Sequence, residues 1–340
     1  MARLAQLTRR SMLGMALALC MAGGQTATAQ DSFILAHAFV TDHIVDPVSR
    51  RFAERLTEVS GGKMTVDYHP GGDLGDYIQQ FEQTMQGGIP MTMAGLATDF
   101  DERLNVGYLA YVVDNWESAR RLYGPGGPML AILDGVLADL NLKLVGTIPG
   151  GFGSIAVRKG VDARPSSFPE EAAGFKMRTP PFEIGVRRFE AWGFAAVPIP
   201  YSELYTALQL GTVDGRSFGP PQEIWEMRDT LGAYILTRDY FDVAFWVANK
   251  DWWDALSAEQ RGWIEAAAAD AVALGWQEGE RRENAELQKI KDYGIEVVEL
   301  TPEELAKAKA IIYEKEWPWM TSIVGEELMA QVRKAAGVSQ

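Results

Sequence analysis

The chain has 340 residues, 47% hydrophobic and 23% charged, which is enough to bury a sizeable core and too many for one minimal domain, so two lobes are expected. A formal net charge of -14 argues against a nucleic-acid partner, because neutralising a phosphate backbone takes a basic surface. The single cysteine excludes disulfide frameworks and multi-cysteine metal sites, and His37, His43 and His69 leave little material for histidine catalysis.

In chain order, residues 1–29 carry Arg3, Arg9 and Arg10 with no acid, then an apolar run from Met12 to Ala22, then Ala27-Thr28-Ala29. This reads as a secretory signal, because the apolar run falls short of the roughly 20 residues that cross a bilayer. Thr8-Arg9-Arg10-Ser11-Met12-Leu13 also fits a twin-arginine signal, so both export routes stay open. Cleavage near Gln30 is expected to release a soluble periplasmic protein with no membrane insertion.

Val48, Phe52, Leu56 and Val59 follow helical spacing up to Gly61-Gly62, and Met64, Val66 and Tyr68 alternate as a strand before the turn His69-Pro70-Gly71-Gly72. Residues 78–85 predict a helix, 91–95 a strand, 116–122 and 129–140 helices, and 142–148 a strand. Strands over 175–179 and 195–199 flank a helix over 182–192, and Ser202 is expected to cap a helix ending before Gly211. A loop is expected over 215–221 and a strand over 241–248. Ser257 with Gln260 and Thr301 with Glu304 each form a capping-box pattern, and residues 259–293 read as one long helix or a bent pair. Alternating strands and helices imply an α/β fold.

Two motifs suggest chemistry. Gly215-Arg216-Ser217-Phe218-Gly219 matches a hydrolase nucleophile elbow, yet no histidine follows His69 to act as base. Gly151-Phe152-Gly153-Ser154-Ile155-Ala156 matches a dinucleotide fingerprint, yet an extended stretch follows in place of the helix that would hold a pyrophosphate. Neither a cofactor nor a metal is called for, and Asp99, Asp101 and Glu102 read as a solvated acidic face. Lys176-Met177-Arg178-Thr179-Pro180 differs: Arg178 falls at the carboxyl end of a strand, where open α/β folds bind ligands and a guanidinium can grip a carboxylate. His37 lies on the first strand and Trp246 on a later one, both candidates for lining a cleft.

The stretch from Pro169 to Pro180, then Trp192-Gly193-Phe194, then Pro198 to Gly215 resembles the signature block of dicarboxylate-type solute-binding proteins of TRAP transporters. Flanking pieces agree, among them Pro70-Gly71-Gly72-Asp73-Leu74-Gly75 and Val247-Ala248-Asn249-Lys250. The resemblance implies a non-catalytic, two-lobed periplasmic protein with an interlobe cleft and a long C-terminal connecting helix, which delivers a small organic acid to a sodium-driven permease. It implies lobe I over residues 30–150 and about 242–280, lobe II over 151–241 and about 281–340, and Arg178 as the carboxylate anchor. Two departures follow: Phe152 stands where many members carry a second arginine, and Phe218 where many carry asparagine, with Arg216 nearby. The expected ligand therefore has an apolar or aromatic part. An exported hydrolase using Ser217, an amine ligand held by aromatic faces and a signalling receptor as partner are the alternatives.

Overall fold

A computed structural model describes residues 31–40 and 42–338, so the predicted signal lies outside the described residues. In order the elements are β1 (Asp31–His37), α1 (Val45–Val59), β2 (Met64–His69), α2 (Tyr77–Met85) and β3 (Met91–Ala94). A 3-10 helix (Glu102–Tyr108), α3 (Trp116–Tyr123), α4 (Pro128–Asp139) and β4 (Leu142–Arg158) come next. Then follow β5 (Lys176–Thr179), α5 (Glu183–Ala191), β6 (Ala195–Pro198), α6 (Tyr201–Leu210), β7 (Gly215–Gly219), α7 (Pro221–Glu226) and β8 (Leu231–Asn249). The chain closes with α8 (Lys250–Ala255), α9 (Ala258–Tyr293), β9 (Glu296–Glu299), α10 (Pro302–Val324) and α11 (Glu326–Ala336).

One mixed sheet runs through the molecule in the order β2-β1-β3-β8-β4-β7-β5-β6, with β9 added to β8. The antiparallel pair β4 and β8, 17 and 19 residues long, is its spine. β3 pairs with Phe245–Ala248 of the spine, whereas β7 and β9 pair with Val157 and with Ala233–Leu236 at its other end, so the sheet has two halves. The spine's register shifts between Pro149 and Gly151 and again between Gly153 and Ile155, which loosens the ladder between the halves. A Cβ on Gly150 would lie 2.0 Å from Asp242 Oδ2, so a side chain at this crossing would displace the Asp242 carboxylate.

The long helix is a single unit, capped by the Ser257–Gln260 box and ended at left-handed Gly294. The Thr301–Glu304 box opens α10 as expected. Three expectations need correction. Pro200, not Ser202, occupies the cap of α6; residues 215–219 are strand, not loop; and the strand over 241–248 is the second half of β8. Arg238, at φ 46, divides the two halves of β8, and that break in alternation concealed the first.

Candidate ligand-binding cleft

Lys176–Thr179 is short because Pro180 cannot continue the ladder, so Arg178 stands next to the carboxyl end of β5. Its register neighbours are Val197 on β6 and Arg216 on β7. The side chain is 2% exposed, its Nε donates to the Ile199 carbonyl at 2.9 Å, and no carboxylate pairs with it among the described residues. Burial lowers its pKa to about 9, and the like charge of Arg216 adds to the effect. A buried guanidinium without a counter-charge is costly, and an arriving anion would offset that cost. Ser217 Oγ donates to the Arg178 carbonyl at 2.8 Å, which commits the hydroxyl to positioning the anchor strand.

Arg216, in contrast, is paired: its Nη2 donates to Glu223 of α7, and its guanidinium lies 6.0 Å from the Tyr201 ring centroid. Tyr77, at the start of α2, is within electrostatic reach of Arg178 from the other half of the sheet. Gly95 packs between the Tyr77 ring and the Tyr108 hydroxyl, and Tyr108 lies 5.8 Å from Tyr240 between ring centroids. Tyr240 donates from its hydroxyl to Asp242 Oδ1 at 3.1 Å. Asp242 keeps accessible surface, yet burial and then Glu223 raise its pKa to about 7. Arg178 thus adjoins Arg216, and with it the Arg216–Glu223 ion pair, across β5 and β7, while Tyr240, which holds Asp242, packs on Phe218 of β7.

The structure gathers some of the predicted residues and separates others. Phe218, held at φ 56, packs 5.0 Å from Tyr240 and under the Arg188 guanidinium at 4.7 Å. Phe152 turns its ring onto Phe241 at 4.9 Å, and its N–H donates to Glu283 of α9. His37 is fully buried with Nε2 2.6 Å from the Tyr68 hydroxyl, and Trp246 packs edge-on against Phe52 in the core. Neither is brought to Arg178. Tyr77, Tyr108, Glu223, Tyr240 and Asp242 went unnoticed as site residues. Tyr240 and Asp242 share a strand face by alternation, but only the crossing turns that face inward.

Burial lifts Asp242, Glu226 and Glu283 each to about 7, with Glu223 adding to the first two. Unfolded carboxyls titrate near about 4, so the folded chain holds more protons in that window and stability rises as pH falls through 7. His37 and His43, lowered by burial to about 4 and about 3, oppose this below about pH 6.5 because the unfolded chain protonates them first. Three carboxyls outnumber two histidines, so the melting temperature is expected to rise from about pH 8 to about 6.5, rise more slowly below that, and fall below about 4.5. Scanning calorimetry showing a steady increase from pH 6 to pH 8 would contradict these assignments.

A two-part sheet on a shared spine, with an uncompensated guanidinium at the crossing, defines a two-lobed ligand-binding protein. More particularly, the chain belongs to the bacterial extracellular solute-binding proteins of family 7, whose model matches residues 36–315, in line with the TRAP signature block. The C4-dicarboxylate-binding periplasmic protein DctP of Rhodobacter capsulatus is 26% identical over 97% of this chain and 99% of that protein. The ectoine-binding periplasmic protein TeaA of Halomonas elongata is 22% identical over 92% of each chain. A TRAP periplasmic solute-binding protein of Ochrobactrum anthropi superposes with a TM-score of 0.80 at 29% identity, covering 92% of this chain and 98% of that one. Among the described residues no helix is long and apolar enough to cross a membrane.

Proposed function

We propose that this protein captures a small organic acid between its lobes and presents it to the permease of a TRAP transporter for sodium-driven uptake, with no chemical step of its own. The observation that carries this reading is Arg178, buried at a strand end and in no ion pair among the described residues. The Tyr77, Tyr108, Tyr240 and Phe218 rings favour a carboxylate with an apolar or aromatic part over a sugar acid. Relatives named for C4-dicarboxylates and for ectoine support a compact acid without fixing which one. The lobes divide as 30–150 with about 242–280, and 151–241 with about 281–340; the register shifts of the spine support bending near residues 150–153.

A thermal-shift screen of the mature protein against small organic acids tests the binding reading, since ligand at about 100 times its dissociation constant adds about 2.7 kcal/mol. The first hit should also reduce the radius of gyration in small-angle scattering, because a ligand shifts an open–closed equilibrium by its differential affinity for the two states. A tightly bound acid that leaves the scattering curve unchanged would refute closure.

A further inference from the structure

The cleft is not simply basic. Arg178 and Arg216 face Glu223 and Asp242, and Arg216 is already spent on Glu223. That leaves two groups without a full protein partner on the cleft. One is the Arg178 guanidinium, nine-tenths buried and, among the described residues, hydrogen-bonded only through Nε. The other is Asp242, whose Oδ1 accepts from Tyr240 while Oδ2 lies over Gly150 and the Val243 N–H approaches the carboxylate; no cation forms an ion pair with it among the described residues. Arg178 adjoins Arg216 across β5 and β7, and Phe218 of β7 lies 5.0 Å from Tyr240, so both groups are placed about the same end of β7. A ligand with a second carboxylate would bring a negative charge toward Asp242, and one of the two acids would have to hold a proton for both to share the space.

We infer that Asp242, positioned by the Tyr240 hydroxyl, is a second ligand-binding group, and that the ligand is a compact zwitterion: one carboxylate for Arg178 and one cationic hydrogen-bond donor for Asp242. This rests on the carboxylate reading of Arg178. The Tyr108 and Tyr240 rings beside Asp242 add aromatic faces that attract a cation. On the acid's side the Arg216 charge is offset by Glu223, and Arg282 lines the cavity at Gly150 together with Glu283 and Glu286.

Matched pairs of acids test this: butanoate against 4-aminobutanoate, and cyclohexanecarboxylate against piperidine-4-carboxylate, titrated by calorimetry into the full mature chain. The amino member of at least one pair should bind about tenfold tighter or better, a difference of about 1.4 kcal/mol. Asp242→Asn, which keeps the shape and the Tyr240 contact, should erase that preference while the plain acid still binds. Tyr240→Phe should weaken it, with circular dichroism confirming an intact fold in both variants. Plain acids binding as well as their amino partners, in wild type and Asp242→Asn alike, would overturn the second group and leave the anchor standing. No binding by any member of either pair would overturn both readings if the acid screen is also blank, and the zwitterion alone if a dicarboxylate binds instead.

Discussion

Arg178→Met is expected to abolish ligand binding and, at the same time, to raise the melting temperature of the unliganded protein. The two effects share a cause. Removing the charged partner of a buried ligand carboxylate costs on the order of 2 to 5 kcal/mol of affinity. Without ligand, the same guanidinium is a desolvated cation whose only hydrogen bond among the described residues runs from Nε to Ile199 O, and its depressed pKa of about 9 reflects that burial and the Arg216 charge. Methionine fills similar space without the desolvation penalty. Arg178→Lys should bind poorly too, since an ammonium cannot form two parallel hydrogen bonds to a carboxylate. Calorimetric titration and thermal melts of the same samples decide the matter. A variant that melts lower than wild type but still binds would make Arg178 a structural residue.

Arg188→Met should have the largest effect on stability. Arg188 is wholly buried on α5, with Nη1 donating to Asp239 at 3.1 Å, Nε donating to Glu316 at 2.7 Å and Nη2 donating to the Tyr108 carbonyl. Glu316 in turn accepts the Ala110 N–H at 2.8 Å, so α5, β8, α10 and the segment after the 3-10 helix meet at one cation. Both carboxylates are also fully buried. Truncating the arginine leaves two buried acids facing each other, a loss of about 3 to 5 kcal/mol by comparison with other buried pairs. Urea unfolding measures it. A loss below about 1 kcal/mol would mean that water or neighbouring groups readily take over the cation's role. The two arginines differ in their partners: among the described residues Arg178 has no paired acid, and Arg188 has two.

Much of this protein followed from local sequence. Capping boxes at Ser257 and Thr301, glycines at helix ends and alternation in short strands act over a few residues, so they marked most helices and the alternating architecture. Arg178 could be named as a candidate because a proline-terminated strand end can be read from five residues and the surrounding block resembled a family. The spine was not, since β4 and β8 each run through both halves and their bulges and the positive φ of Arg238 break the alternation that marks a strand. Nor did the sequence separate Arg178 from Arg188 and Arg216, three arginines of one chemistry. Their roles depend on which acids lie beside them, and Glu223, Asp239 and Glu316 come from three different elements, up to 128 residues away. Composition supplies the charges, but only tertiary packing decides which are paired, and a buried charge left unpaired is what a ligand can use.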